Sequence, residues 1–236
     1  MSNEQKVAIV TGASQGIGAA LVKAYRDRGY RVVATSRSIK QSPDEDVVAV
    51  AGDIGDPKTA EAVVQAALKH FGRVDTLVNN AGIFIAKPFT DYTEADFNAV
   101  ISTNVAGFFH VTQRASTEML KQGSGHIVNI STSLTDNAVS SVPTGLANLT
   151  KGGINSVTKA LAIEYAAKGV RVNAVSPGII KTPMHAPETH EFLAGMHPVK
   201  RMGETKDIVD GVMFLESAGF VTGEILHVDG GQSAGH

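Results

Sequence analysis

The hydrophobic pattern along this chain alternates between short apolar runs and longer amphipathic stretches. Short runs such as Val7–Val10 are typical of strands that are buried on both faces of a sheet. The segment Gly16–Arg28 instead places Ile17, Leu21 and Ala24 on one side at helical spacing. Because this alternation repeats to the end of the sequence, the pattern predicts an α/β fold.

The pattern predicts about seven strands with helices between them. The predicted strands are Val7–Val10, Arg31–Thr35, Val47–Val50, Val74–Val78, Gly125–Ile130, Val170–Val175 and Glu224–Val228. The predicted helices are Gly16–Arg28, Pro57–Phe71, Thr93–Lys121 with a bend at Gly107, Leu146–Lys168 and Glu204–Glu216. Right-handed crossovers then give a doubly wound parallel sheet of the Rossmann type, in one domain over residues 1–236. Such sheets bind ligands beyond the carboxyl ends of their strands.

Composition narrows the classes of function. The chain has 236 residues and a formal net charge of −2, so it lacks the basic field that attracts nucleic acid. It contains no cysteine, which excludes disulfides, thiolate catalysis and cysteine metal sites. No apolar run is long enough to span a membrane, and Met1–Lys6 lacks a signal-peptide pattern. We therefore expect a cytoplasmic protein that binds neither membranes nor nucleic acids.

A glycine-rich turn follows the first predicted strand directly and opens the first helix. Glycines allow the backbone to approach a pyrophosphate closely, and a helix N-terminus favours its negative charge. The predicted cofactor contacts in this turn are Gly12, Ser14, Gln15, Gly16, Ile17 and Gly18. An ordinary glycine-rich turn between a strand and a helix remains the alternative.

The turn and several later motifs are similar to the short-chain dehydrogenase/reductase family. The turn has the spacing Thr-Gly-x-x-x-Gly-x-Gly, and the later matches are Asn79–Gly82, Asn104, Gly107, Ile127–Ser133, Lys151, Pro177–Gly178, Thr182 and Val228–Gly231. These motifs occur in the family's order over nearly the whole chain. The resemblance implies an enzyme that moves hydride between a nicotinamide cofactor and a carbonyl or alcohol.

The end of the second predicted strand bears on the choice of dinucleotide. A carboxylate there would bind the adenosine ribose and repel a 2′-phosphate, but this chain has Ser36 followed by Arg37. A guanidinium forms charge-assisted hydrogen bonds with phosphate. We therefore predict that NADP(H) is preferred and that NAD(H) is the alternative. A solvated surface role for Arg37 stays open.

The resemblance implies further cofactor contacts along the same edge of the sheet. They are Asp53 and Ile54 at the adenine, Asn80, Ala81 and Gly82 at the adenosine ribose, and Pro177, Gly178, Ile180, Thr182 and Lys151 at the nicotinamide end. Asp53 has an alternative role as a turn cap, because aspartate often binds backbone N–H groups two residues on.

The expected catalytic centre departs from the family at two positions. The family uses Asn, Ser, Tyr and Lys, and here Asn104 and Lys151 match while Thr132 stands at the serine position. Ala147 stands four residues before Lys151, where the family has its proton-donating tyrosine. Losing a positioned acid costs on the order of 10²–10⁴ in rate, which weakens a reaction without forbidding it.

Three replacements for the missing acid remain open. One is a water held by Lys151 and Asn104, and another is the hydroxyl of Thr132 or Ser133. The third is a side chain from the predicted substrate lid, residues 181–202, such as His185. We expect Phe84, Ser133 and His185 to contact the substrate. The lid histidines lack the spacing of a metal site, so no metal is predicted, and His190 and His197 are expected on the surface.

These observations predict an NADPH-dependent carbonyl reductase or alcohol dehydrogenase that acts on a small apolar ketone or alcohol. A protein that binds NADP(H) as a sensor or scaffold, with little turnover, is the main alternative. A reaction without net redox change, such as dehydration or epimerisation, is a third. The resemblance also implies a homodimer or homotetramer that associates through the helix carrying Lys151 and through the C-terminal helix and strand.

Overall fold

Seven parallel strands form one sheet in the computed structural model, which describes residues 5–235. The strands are β1 (Val7–Thr11), β2 (Arg31–Ser36), β3 (Val47–Ala51), β4 (Thr76–Asn79), β5 (Gly125–Ile130), β6 (Val170–Pro177) and β7 (Ile225–Val228). Their order in the sheet is β3-β2-β1-β4-β5-β6-β7. The strand order reverses between β1 and β4, and the crevice at such a reversal is where doubly wound sheets bind ligands.

Helices cover both faces of this sheet. They are α1 (Gly16–Asp27), α2 (Pro57–Phe71), α3 (Glu94–Val100), α4 (Gly107–Gln122), α5 (Gly145–Tyr165), α6 (His190–Gly195) and α7 (Thr205–Ser217). Two separate apolar cores result, one on each face of the strands. The predicted doubly wound Rossmann fold is thereby confirmed. Within residues 5–235, no helix has both the length and the apolar content that crossing a bilayer requires.

Local sequence accounts for most element boundaries. Every residue of β1 is buried, as its unbroken apolar run predicts. At the start of α2 the Asp56 carboxylate accepts a hydrogen bond from the backbone N–H of Lys58. Pro57 occupies the first turn, and Gly72 ends the helix with a φ of 79°.

Three differences from the sequence prediction exceed shifts of a residue or so at the ends of elements. The predicted strand at Val74 begins at Thr76, because the side-chain amide of Gln122 pairs with both backbone groups of Val74. The predicted long helix is divided by a π-helical turn, Ile101–Ala106, that precedes Gly107. The loop between β6 and α7 contains the short helix α6, which periodicity does not reveal over so few residues.

A buried carboxylate joins the strands at the amino edge of the sheet, opposite the ligand-binding edge. Glu216 of α7 accepts hydrogen bonds from the hydroxyls of Tyr25, Tyr30 and Thr76 and from Nδ1 of His126, at 2.9 to 3.2 Å. Burial by itself raises the pKa of Glu216, but these donors, His126 first, lower the pKa to about 2. The carboxylate therefore stays charged and fully bonded at neutral pH.

We expect Glu216→Ala to lower the free energy of unfolding by about 3–5 kcal/mol, because it leaves four buried donors without an acceptor. Urea denaturation monitored by circular dichroism measures this loss. The matched control is Glu118→Ala, which removes a surface pair with Lys121 and is expected to cost about 0.5 kcal/mol or less. Equal losses in the two variants would contradict the structural role of Glu216.

Candidate active site

Two cavities open at the carboxyl edge of the sheet and share one wall. The glycine-turn cavity has a volume of about 290 Å³ and the lysine cavity about 660 Å³. Both are bordered by Ile17, Asn80, Gly82, Ile83, Thr182 and Met184, so they form one continuous cleft. Every predicted cofactor residue lines one cavity or both, except Gly18, which lies beneath the turn.

The glycine turn is locked against the end of β4 by backbone contacts. The hydroxyl oxygen of Thr11 accepts hydrogen bonds from the N–H groups of Asn80 and Ala81, at 3.0 and 2.9 Å. The Asn80 side chain in turn donates to the carbonyls of Thr11 and Gly12. A Cβ at Gly18 would lie 2.2 Å from the carbonyl oxygen of Gly12, so no larger residue fits there. The packing explains why glycine is required at that position.

The amino end of α1 faces the glycine-turn cavity with its backbone donors unused. Gln15 occupies the cap position in extended conformation, its side chain makes no capping hydrogen bond, and the first turn holds no acidic residue. The first N–H groups of a helix carry partial positive charge and bind anions when no side chain satisfies them. A diphosphate fits this end of the cleft.

The far end of the same cavity has an uncompensated cation. Arg37 is exposed, and no carboxylate within residues 5–235 forms an ion pair with it. The neighbouring Ser36 hydroxyl is buried without a hydrogen-bond partner. Both groups line the cavity and are available to a phosphate. Asp53 also lines this cavity. One of its carboxylate oxygens accepts a hydrogen bond from the N–H of Gly55, which is the turn-cap role given above as the alternative for Asp53.

The lysine cavity is named for Lys151, whose Nζ donates a hydrogen bond to the carbonyl of Ile130 at 2.6 Å. Loss of water around the ammonium lowers the pKa of Lys151 to about 8. The methyl group of Ala147, 6% exposed, lines the cavity one helical turn away. None of the chain's four tyrosines lines either cavity, so no phenol takes the place that Ala147 leaves.

The π-helical turn places Asn104 in the wall of the lysine cavity. Its side-chain oxygen accepts from the N–H of Ile83 at 2.9 Å, and its nitrogen donates to the carbonyl of Ile83 at 3.0 Å. A Cβ at Gly82 would lie 3.4 Å from both Asn104 Oδ1 and Lys151 Nζ, so the two polar groups flank that glycine. Asn104 therefore holds the backbone of the cleft wall at Ile83, and its Oδ1 retains one lone pair that can accept a hydrogen bond from a water.

The three hydroxyls after β5, on Ser131, Thr132 and Ser133, have different surroundings. Ser131 lines the lysine cavity, and its buried hydroxyl has no hydrogen-bond partner. Thr132 lines the lysine cavity, and its oxygen accepts a long hydrogen bond of 3.4 Å from the N–H of Leu134, so its own O–H remains free to donate. Ser133 is fully buried and donates to the side-chain oxygen of Gln232 at 2.7 Å. The expected role of Ser133 as proton donor or substrate contact is therefore corrected, because Ser133 does not line the cavity.

The predicted lid, residues 181–202, covers the lysine cavity with apolar side chains. Its cavity-lining members include Met184, His185, Phe192, Leu193 and Met196, and Phe84 lines the same cavity. The prediction that His197 is on the surface is wrong, since this side chain is 2% exposed. Sequence reasoning missed His197 and Gln232 because their partners, Ile179 and Ser133, are distant in sequence and share no motif with them.

Comparison with known proteins adds to this geometry. A family model described as Enoyl-(Acyl carrier protein) reductase matches residues 12–233. The chain belongs to the short-chain dehydrogenase/reductase family. This member is 34% identical over 247 residues to the (2S)-[(R)-hydroxy(phenyl)methyl]succinyl-CoA dehydrogenase subunit BbsD of Thauera aromatica, covering 99% of this chain and 98% of that protein.

Solved structures of similar proteins contain nicotinamide dinucleotides. This short-chain dehydrogenase/reductase superposes on ElxO with NADP bound with a TM-score of 0.91, at 32% identity and covering 98% of this chain and 100% of that one. It superposes on a 3-ketoacyl-(acyl-carrier-protein) reductase from Brucella melitensis complexed with NADH with a TM-score of 0.90, at 33% identity and covering 98% and 99%. The protein is an NAD(P)-dependent short-chain oxidoreductase.

We expect Gly18→Ala to weaken NADPH binding at least tenfold and to lower the melting temperature by about 4 °C or more, because the new Cβ displaces the turn. Fluorescence titration of NADPH and a thermal melt measure the two effects. The control, Gly153→Ala, adds a Cβ in open space within α5 and is expected to leave binding unchanged. Unchanged NADPH binding in Gly18→Ala would refute the close packing described for the turn.

Proposed function

We propose that the protein is an NADPH-dependent carbonyl reductase or alcohol dehydrogenase for bulky, apolar, uncharged ketones or secondary alcohols. The observation that carries the proposal is the lysine cavity, which is large, mostly apolar, and continuous with a cleft suited to a dinucleotide. The relative from Thauera aromatica, whose substrate name contains a secondary alcohol beside a phenyl ring, supports the same class of reaction.

The cofactor is proposed to extend along the whole cleft. Its diphosphate meets the free N–H groups of α1, and its 2′-phosphate lies at Ser36 and Arg37. The nicotinamide end lies beside Lys151 and the segment Pro177–Gly178. The bound cofactor supplies the hydride, and the protein's own residues orient the substrate and handle the proton.

The proton is proposed to reach the substrate oxygen without a phenol. Lys151 is cationic below pH about 8, and its charge stabilises negative charge that develops on a carbonyl oxygen in this poorly hydrated cavity. The free O–H of Thr132 is one donor, and a water between Lys151 and the remaining lone pair of Asn104 is the other. Solvent then replaces the proton through the open side of the cleft.

The walls of the lysine cavity define the substrate. Its volume of about 660 Å³ also has to hold the nicotinamide end of the cofactor, and the space that remains beyond that end suits a bulkier substrate than the small one expected from the sequence. Apolar side chains such as Phe84, Leu134 and Phe192 dominate the lining, and its one permanent cation at neutral pH is Lys151, which the proposal assigns to the reacting oxygen. An uncharged substrate fits such a wall better than a carboxylate or phosphate.

The second candidate is a sensor or scaffold that binds NADP(H) with little turnover, and Ala147 is the observation that favours it. NADPH oxidation against a panel of alicyclic and aryl ketones distinguishes the two functions. We expect alcohol to form in proportion to the NADPH consumed, and most rapidly with the bulkier ketones. Tight NADPH binding without any turnover across the panel would support the sensor, and product without net NADPH oxidation would support a non-redox reaction.

A homodimer or homotetramer remains part of the proposal. On α5, Ile154 and Tyr165 pack against the protein's own core. The large apolar side chains that remain exposed on this helix are Leu149 and Ile163, which are 58% and 81% exposed. They provide the apolar surface on which a second copy is proposed to pack.

We expect kcat/KM for ketone reduction to fall above pH about 8, roughly tenfold per pH unit, because the buried ammonium of Lys151 then loses its proton. A Lys151→Arg variant keeps its charge and is expected to show no such fall, whatever its absolute activity. A pH–rate profile from pH 6 to 10 measures both. The same alkaline fall in the arginine variant would assign the titration to another group.

We expect Arg37→Ala to weaken NADPH binding roughly 10- to 100-fold and to leave NADH binding unchanged, since only NADPH carries the 2′-phosphate. Fluorescence titrations with both nucleotides test this. The control is Lys40→Ala, which removes an exposed cation outside the lining of the cavity. Equal losses for NADH and NADPH would show that Arg37 does not select the phosphate.

A further inference from the structure

His197 lies where the end of the lid meets the backbone wall of the lysine cavity. The imidazole is 2% exposed and makes a hydrogen bond through each nitrogen. Nε2 accepts from the backbone N–H of Ile179 at 2.9 Å, and Nδ1 donates to the carbonyl of Leu193 in α6 at 3.1 Å. One side chain thus joins the lid helix to the segment that follows β6.

Both segments joined by His197 line the cavity. Gly178 and Ile179 form part of its wall, and Leu193 and Met196 belong to the lid above it. A Cβ at Gly178 would lie 2.7 Å from Nε2, so the ring packs directly against this backbone. A shift of the imidazole would therefore move the wall and the lid together.

The imidazole borders a polar cavity that is also lined by Asp207 and Asp210 of α7, His227 of β7, Asp229 and Arg201. The last two act on the charge of the ring in opposite directions. Asp229, in the turn after β7, favours the protonated ring, while Arg201 on the ring's own segment disfavours it. The Asp229 carboxylate is already engaged by the N–H groups of Gly231 and Ser233. Burial is the largest influence and lowers the pKa of His197, so the ring is neutral at pH 7.

We infer that His197 is a positioning residue that holds the lid segment against the cavity wall in its neutral form and releases it when protonated. The inference rests on the proposed function in that the wall and lid enclose the substrate of that reaction. The geometry requires a neutral ring, because Nε2 accepts a hydrogen bond from Ile179 and a protonated imidazole has no acceptor. Protonation would set two N–H groups against each other.

The direction of the pH effect follows from this requirement. The ordinary pKa of an imidazole is 6.5. Above that pH the ring of His197 is neutral whether the lid is attached to the wall or released, so the attachment has its full strength. Below that pH the free ring takes up a proton that the attached ring resists. The free population therefore grows roughly tenfold for each pH unit, until the pH reaches the lowered pKa of the attached ring.

Two substitutions separate this role from simple packing. In His197→Gln the amide has both an acceptor and a donor and cannot titrate, so it is expected to keep the attachment at every pH. The control, His190→Gln, removes a lid histidine whose Nε2 lies 3.2 Å from the carbonyl of His185 and does not contact the wall. It is expected to behave as the unaltered protein does.

The experiment is amide hydrogen exchange of Ile179 and the lid at pH 7.5 and pH 5.5, corrected for the intrinsic exchange rate. In the unaltered protein and in His190→Gln we expect protection of the Ile179 amide to fall at pH 5.5, by up to about tenfold, and in His197→Gln we expect it to stay constant. A second arm follows the KM for a bulky ketone, which is expected to rise at pH 5.5 with little change in kcat.

Each outcome decides the inference. Protection that is independent of pH in the unaltered protein, or that falls equally in His197→Gln, would overturn it. The exchange arm needs neither cofactor nor substrate, so it gives a result even if the proposed reductase activity is absent. A constant KM beside a pH-dependent Ile179 amide would overturn the link to the substrate site while leaving the proposed function standing.

Discussion

The close contact between the turn after β1 and the end of β4 is the constraint on which the rest of the site depends. Asn80 donates hydrogen bonds to the hydroxyl and carbonyl oxygens of Thr11 across the two strand ends, and Gly18 lies so close to the carbonyl of Gly12 that a Cβ has no room. This packing keeps the amino end of α1 open toward the cleft. Its unpaired N–H groups then face the space where a diphosphate fits.

The polar groups at the two edges of the sheet differ in whether they have hydrogen-bond partners. At the amino edge, Glu216 accepts hydrogen bonds from donors on α1, β4 and β5. These polar groups are therefore paired within the protein. At the carboxyl edge, the Ser36 hydroxyl, the Arg37 guanidinium and the N–H groups of α1 have no partner within residues 5–235. Polar groups left unpaired in this way are available to a ligand.

The sequence predicts the fold and the cofactor side of the cleft because both depend on local patterns. Unbroken apolar runs define the strands, and the glycine spacing after β1 defines the turn. The orientation of Ser133 could not be predicted, because its partner Gln232 is 99 residues away. His197 was misplaced for the same reason, since its contact with Ile179 exists only when the lid has folded over the wall.

The catalytic side differs from the family where Ala147 replaces the phenol. The cavity retains the lysine, whose ammonium sits in a poorly hydrated site, and a threonine hydroxyl with a free proton. The Ser131 hydroxyl, which lines the same cavity without a hydrogen-bond partner, and the clamped backbone at Ile83 are also available to orient or protonate a substrate. The account therefore requires that the nicotinamide end of the cofactor reach the cavity wall at Ala147.

Methyl NMR of protein labelled at its alanine methyl groups tests that requirement most directly. On titration with NADPH, the account predicts saturable shifts of Ala81 in the glycine-turn cavity and of Ala147 in the lysine cavity, with a nuclear Overhauser effect between the Ala147 methyl and the nicotinamide ring. Ala60, buried in α2, serves as the reference that does not shift. Saturation by NADPH with no change at Ala147 would contradict the account.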